Sequence, residues 1–287
     1  MIPLILGITT ASVATAVYTL QSKVIFLPKF ANVCPIENNP SLLGVPYTEH
    51  MIPVPKTNIL LHSWFLPAVQ CSSTPAPVIC FFHGNAGNIA SRTISICELY
   101  KRFNRNVSIL LFDYRGYGKS NGVPSEQGVY DDGMAVIDWL MANEKVDSSR
   151  IFLFGRSLGG AVSIYCSKHC PVVKGLIVEN SFSSIYDLLP DVLSPNTARL
   201  IPKCALRCHF PSSQHIKDVF VPLLIISGSG DELIPSSHSQ VLFDSAINSK
   251  RKHLARIELG THNETWRRAG YYEEFCGFVN ALINEND

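Results

Sequence analysis

Residues 151–162 read Ile-Phe-Leu-Phe-Gly-Arg-Ser-Leu-Gly-Gly-Ala-Val. An apolar run leads into Gly155-Arg156-Ser157-Leu158-Gly159, and a run of small residues leaves it. As bare pattern, Gly-x-Ser-x-Gly is short enough to arise by chance. It gains meaning where a strand feeds it and a helix leaves it, because the serine then sits on a sharp strand-to-helix turn. The spacing predicts a strand over Ile151–Phe154 and a helix from Ala161 to Lys168. Gly155 and Gly159 suit so tight a turn, since a side chain at either would meet a neighbouring element. The first amides of the following helix would favour negative charge beside Ser157.

A serine hydroxyl is a weak nucleophile without a base. On this type of elbow the partners follow in chain order, an acid and then a histidine. Ile225-Ile226-Ser227-Gly228-Ser229-Gly230-Asp231-Glu232 offers an acid just past the end of an apolar run. Asp231 is the candidate and Glu232 its neighbouring alternative. Leu259-Gly260-Thr261-His262 places an imidazole beyond the last apolar run. His262 would take the Ser157 proton, and Asp231 would hold its tautomer. His169, His209, His215 and His253 lack that strand-end setting. Phe82-His83-Gly84-Asn85-Ala86-Gly87 follows an earlier apolar run. Such a turn can aim a backbone N–H at a developing oxyanion. Asn85 is the first choice of donor and Ala86 the second, partnered by the N–H of Leu158. His83 reads as structural.

The rest of the chain supplies the frame. Apolar, mostly non-alternating runs recur at Val78–Phe82, Val107–Phe112, Ile151–Phe154, Gly175–Val178, Val221–Ile226 and Leu254–Leu259. Such runs suit strands buried on both faces. Between them, Glu126–Asn143 sets Val129, Val136, Ile137 and Leu140 on one helical face, with Ser125 as cap. Ser236–Asn248 and Trp266–Ile283 predict two more helices. Alternating strands and helices give a mostly parallel sheet covered on both sides. Tyr47–Val54 and Asn58–Phe65 read as an antiparallel pair, and Pro53 and Pro55 make the first an edge strand or one that ends early. Residues 181–215 break the rhythm with Pro190, Pro195, Pro202 and Pro211 among apolar residues. They predict short helices forming a small lid above the strand ends, with an ordinary packed connection as the alternative.

Composition narrows the function. With 287 residues, 46% of them hydrophobic, the chain can bury one large core. A net charge of +1 without a basic stripe excludes a nucleic-acid surface. The nine cysteines are odd in number and scattered. Cys166 and Cys170 read as packed, and Cys204, Cys208 and His209 lack a second ligand pair at zinc-like spacing. No cofactor or metal is expected. Gly116-Tyr117-Gly118-Lys119-Ser120 ends like a phosphate-binding loop, but the required first glycine is Asp113. It reads instead as a tight connection near the site.

From Met1 to Ser22 no side chain is charged, and residues 2–20 are mostly apolar. That length suits a single membrane-spanning anchor. A cleaved signal peptide ending near Ala14-Thr15-Ala16 and a short buried helix are the alternatives. The expected organisation is an anchor at 1–22, a linker at 23–46 and one domain at 47–287. Lys23 and Lys29 after the span would keep the body cytoplasmic. Sequons at Asn106 and Asn263 permit a lumenal one.

Together HGNAGN (83–88), DYRGYGKSNG (113–122), GRSLGG (155–160), GSGDELIP (228–235) and GTHNET (260–265) resemble the α/β-hydrolase superfamily. The resemblance runs from about Tyr47 to the carboxyl end. It is closest to the membrane-anchored branch of the alpha/beta hydrolase domain-containing protein 13 and bud-emergence type. It implies an eight-stranded α/β-hydrolase fold and a serine hydrolase with Ser157, Asp231 and His262 as triad. It also implies action on acyl esters or thioesters of small molecules, lipids or lipidated proteins at a membrane. That branch implies a lumenal or extracellular body, against the two lysines, and the orientation stays open. The alternatives are a membrane-tethered scaffold that keeps the fold without turnover and, less favoured, a serine peptidase or amidase.

Overall fold

A computed structural model of the chain describes residues 15, 18–29, 34–69, 75–285. Eight strands form one sheet: β1 (Thr48–Pro53), β2 (Leu60–Leu66), β3 (Ala76–Phe82), β4 (Ser108–Phe112), β5 (Val146–Arg156), β6 (Gly175–Glu179), β7 (Leu223–Gly228) and β8 (Lys252–Ile257). Their spatial order is β1-β2-β4-β3-β5-β6-β7-β8. β1 pairs antiparallel with β2, and β2 with β4; every later pairing is parallel. The proline-bearing β1 lies at the edge, as expected, where a missing N–H costs no ladder bond.

Buried strands explain the unbroken apolar runs. Every residue of β3, β4, β6 and β7 is buried, whereas the edge strands β1 and β8 are partly exposed. Successive side chains of β3 go to opposite faces. Val78, Cys80 and Phe82 pack in one apolar layer with Val136 and Val162. Ile79 and Phe81 pack in the other with Leu99 and Phe275. Helices α3 (Glu126–Met141) and α4 (Leu158–His169) cover the first face; α2 (Thr93–Arg102) and α9 (Tyr271–Asn284) cover the second. Ser125 caps α3 by accepting from the Gly128 N–H at 3.1 Å. Helix α8 (Ser236–Ser245) completes the crossover between β7 and β8.

Several boundaries move for identifiable reasons. β5 begins at Val146 rather than Ile151, because residues 147–150 form a polar irregularity inside the strand. There Asp147 accepts from the Ser149 amide at 2.9 Å and pairs with Arg150 at 2.6 Å. β8 ends at Ile257 rather than Leu259, since Leu259 turns out of line with φ at 55°. α9 starts at Tyr271 rather than Trp266, because Gly270 at φ 84° separates it from a 3-10 turn over Thr265–Arg267. Helix α2 has no counterpart in the expected elements. Its Ile96, Cys97, Leu99 and Tyr100 are buried.

The segment 181–215 folds into short helices: α5 (Ile185–Val192), α6 (Pro195–Ala198), a 3-10 turn (Lys203–Ala205) and α7 (Ser212–His215). Two carboxylate oxygens of Glu126 accept from the amides of His209 and Phe210, at 2.6 and 2.8 Å. That ties the far end of the segment to α3.

Most of the expected anchor, residues 1–14 and 16–17, lies outside the described residues. Among the described residues no helix is long and apolar enough to cross a membrane. The described part of this region is a helix, α1, over 18–25, so residues 23–25 belong to a helix rather than to a linker. Both this helix and the residues just after it are docked on the domain. Leu27 donates its N–H to the Asn85 carbonyl at 2.9 Å and accepts from the Gly87 N–H at 3.2 Å. The Gln21 amide donates to the Ala205 carbonyl at 3.2 Å and accepts from the Arg207 and Cys208 N–H groups at 2.7 and 3.0 Å. This segment therefore bridges the short-helix insertion and the loop after β3.

Candidate active site

Ser157 joins β5 to α4 in a backbone conformation that side chains avoid, φ 56° and ψ −121°. The local sequence allows it. A Cβ on Gly155 would strike the Gly159 carbonyl, and one on Gly159 would overlap the Phe82 carbonyl. A Cβ on Gly160 would meet Ser181 at 2.6 Å. The turn is held by the Ser157 N–H donating to the Glu179 carbonyl at 2.9 Å, and by Ser181 Oγ donating to the Ser157 carbonyl at 2.8 Å. Strain of this kind persists only where its surroundings over-determine it.

The three side chains singled out by the sequence meet here, although they lie on three separate strand-end loops. His262 Nε2 is 3.1 Å from Ser157 Oγ, and His262 Nδ1 is 2.8 Å from Asp231 Oδ2. Asp231 and His262 are nearly inaccessible to solvent. Asp231 Oδ1 also accepts from the Leu233 and Ile234 amides, at 2.9 Å each, so the carboxylate is fixed before it meets the imidazole. Glu232, the alternative acid, accepts from the His262 backbone N–H at 3.2 Å and thereby positions the loop.

Asn85 and Leu158 both line the space at Ser157. The Leu158 amide opens α4, where no intrahelical acceptor exists. The Asn85 turn is braced through its carbonyl, which accepts from Leu27 N–H and from Tyr117 Oη, each at 2.9 Å. His83 lies beneath this turn, buried against Tyr114 at 4.4 Å, with Nδ1–H donating to the Gly84 carbonyl at 2.7 Å. Burial pushes its pKa down to about 4, so it is neutral. The Gly116–Ser120 loop packs behind the site: Gly118 rests on the Asp113 carboxylate, and Ser120 Oγ donates to the Asp113 carbonyl at 2.7 Å.

Two buried groups escaped the sequence reading. Asn180 (φ 48°) donates through Nδ2 to the Thr261 and His262 carbonyls and to Thr265 Oγ1, at 3.3, 3.2 and 2.9 Å. Its Oδ1 accepts from the Gly228 N–H at 2.8 Å. One amide thus joins the acid-bearing and histidine-bearing loops. Arg156 and Glu179 form a buried ion pair at 2.9 Å, and Tyr271 Oη donates to the same carboxylate at 2.8 Å. The only sequence signal for either is position, one residue past or at the end of a strand.

Two cavities meet at Ser157. One, about 260 Å³, runs beneath α5 and is lined by Ile25, Leu158, Phe182, Ile185, Leu188 and Leu189. The other, about 450 Å³, has a polar wall of Asn85, Ser91, Arg92, Arg156 and Asn263. An apolar slot and a chamber with one polar wall, on either side of one hydroxyl, can hold two unlike halves of a substrate.

Comparison with known proteins agrees with this architecture. A family described as "Serine aminopeptidase, S33" matches residues 73–213. The alpha/beta hydrolase domain-containing protein WAV2 of Arabidopsis thaliana is 33% identical, over 97% of this chain and 93% of that protein. Protein bem46 of Schizosaccharomyces pombe is 34% identical, over 74% of this chain and 68% of its own. An uncharacterized membrane protein of Saccharomyces cerevisiae, YNL320W, is 32% identical over 96% and 94%. Among solved structures, the Pyrococcus furiosus esterase Pf2001 superposes with a TM-score of 0.69 at 18% identity, covering 91% of this chain and 97% of that one. With that fold and these relatives, the chain belongs to the α/β-hydrolases, in the branch of WAV2 and bem46.

Proposed function

We propose that the protein is a serine hydrolase of acyl esters or thioesters, with Ser157 as nucleophile, His262 as general base and acid, and Asp231 as its orienting partner. The observation that carries this is the unbroken chain of contacts, 3.1 Å from Ser157 Oγ to His262 Nε2 and 2.8 Å from His262 Nδ1 to Asp231. Ser157 Oγ attacks the substrate carbonyl carbon as its proton passes to His262 Nε2. Asp231 accepts from Nδ1–H and stabilises the imidazolium. The Asn85 and Leu158 amides receive the oxyanion. Collapse expels the alcohol or thiol, protonated by His262. Water, deprotonated by the same imidazole, then releases the acid and restores Ser157.

The apolar cavity suits the acyl chain. The N-terminal segment, apolar over residues 2–20, would hold the site at a membrane within reach of lipid or lipidated-protein substrates. No step requires a metal or cofactor. The matching family description names an aminopeptidase, and the same triad would serve an amide. An aminopeptidase needs an anionic group for the substrate ammonium, however, and no carboxylate residue lines either cavity among the described residues. This favours the ester. Product analysis after incubation with acyl esters, acyl thioesters, lysophospholipids and an aminoacyl amide tests the reading. Wild type should release acid from esters or thioesters and Ser157→Ala should not. Equal release by both proteins would remove Ser157 from its role.

A further inference from the structure

The larger of the two cavities at Ser157 carries a cation that no salt bridge neutralises among the described residues. Arg92 ends the 3-10 turn Ile89–Arg92 and lines the chamber beside Ser157. Its Nη2 and the Ser157 Cβ lie 3.9 and 3.5 Å from one shared point, where a Cβ on Gly84 would sit. The guanidinium and Ser157 therefore border the same space in front of Gly84. Nη2 donates to the Ala86 carbonyl at 3.1 Å, and Nε is buried with no hydrogen-bond partner among the described residues.

The neighbouring charges do not neutralise it. Glu179 is the acid whose charge acts on it, but that carboxylate is held by Arg156 at 2.9 Å and by Tyr271 at 2.8 Å. Arg156 repels Arg92, and burial, the larger effect, adds to that; together they push the Arg92 pKa down to about 10. Arg92 still keeps its proton at neutral pH. The cluster of Arg92, Arg156 and Glu179 thus carries a net positive charge into a chamber that no carboxylate lines. A buried guanidinium is costly unless paired, and its planar fork matches a phosphate or carboxylate.

We infer that Arg92 is the anchor of an anion subsite, which selects esters whose alcohol half carries a phosphate-like oxyanion while the acyl half lies in the apolar cavity. This rests on the ester-hydrolase reading for its place in catalysis, but not for the binding itself. The subsite would fix the alcohol oxygen near His262, the group that must protonate it on departure.

Calorimetric titration of the full chain with sn-glycerol 3-phosphate and, separately, inorganic phosphate reads the subsite without turnover. Wild type and Ser157→Ala should bind glycerol phosphate alike, Arg92→Gln should bind about tenfold or more weakly, and Arg92→Lys should recover part of the loss. Unchanged binding by Arg92→Gln, or none by wild type, would overturn the subsite. Inorganic phosphate binding as tightly as glycerol phosphate would overturn its assignment to a substrate head group. In turnover, the kcat/KM ratio of 1-acyl-glycerol 3-phosphate over 1-acyl-glycerol of the same chain should fall about tenfold in Arg92→Gln. An equal fall for both esters would mean that Arg92 only supports the Ala86 carbonyl. Binding retained with no acid released by wild type from any of the esters or thioesters of the product analysis would instead refute the hydrolase reading and leave the subsite standing.

Discussion

Replacing Ser157 by glycine should stabilise the protein relative to replacing it by alanine, the reverse of the usual ranking. Both variants lose the hydroxyl and its 3.1 Å contact with His262. They differ in what the backbone asks of them. At φ 56° and ψ −121° any Cβ is strained, at a cost of about 1–3 kcal/mol. Alanine keeps that cost and glycine removes it. Glycine in turn loses about 0.5–1 kcal/mol through the greater freedom of the unfolded chain. The balance leaves Ser157→Gly more stable by about 1 kcal/mol, which is about 2 °C in melting temperature for a chain of this size. Thermal denaturation of the two variants under one buffer condition reads the difference. An alanine variant equal to or more stable than the glycine variant would show that the elbow stores no strain. The fold would then not be holding this serine in place against its own backbone preference.

Other positions respond in their own ways. Asn180→Ala leaves the Gly228 amide and the His262 carbonyl without this partner, and the Thr261 carbonyl with Thr265 Oγ1 alone. It should cost about 2–3 kcal/mol in urea unfolding and lower kcat by about tenfold to a hundredfold as His262 drifts; an active, stable variant would deny its positioning role. Gly159→Ala drives a methyl into the Phe82 carbonyl, so it should abolish soluble expression or activity, whereas Gly277→Ala, with open space around it, should do neither. His83 has a folded pKa of about 4 against an ordinary 6.5, so the unfolded chain takes up the proton first. Its contribution to stability is complete above pH 6.5 and is lost as pH falls toward 4, about 2 kcal/mol by pH 5. Urea unfolding of wild type and His83→Gln at pH 7.0 and about 5 should show a smaller pH loss in the variant; parallel losses would contradict the assignment.

What was readable in the sequence was whatever depends on local pattern. Buried strands declare themselves because both faces must be apolar, as in Val78–Phe82, and the elbow declares itself because only glycine fits two residues before and two residues after Ser157. Asp231 and His262 were legible for a related reason: each comes within a few residues of the end of an apolar run, and strand order brings those ends together. The less legible features depend on partners remote in sequence. Asn180 looks like any polar residue after a strand until Thr261 and Gly228 arrive beside it. Arg92 looks like a surface arginine until Arg156 and Glu179 satisfy each other and leave it over. Helix α2 was missed altogether, and the start of β5 was hidden by a polar irregularity that interrupts the apolar run. The docking of Gln21 and Leu27 onto the insertion and the Asn85 turn also has no local signature. A stretch that reads as a connector is a wall of the site.

The central claim, that the Ser157 hydroxyl is an activated nucleophile, is tested most directly by intact-mass and peptide-mapping analysis after brief exposure of the folded chain to a fluorophosphonate. The account predicts one adduct, on the peptide containing Ser157, formed slowly or not at all in His262→Ala and absent in Ser157→Ala. An adduct on another residue, or no adduct on a folded wild-type protein, would contradict it.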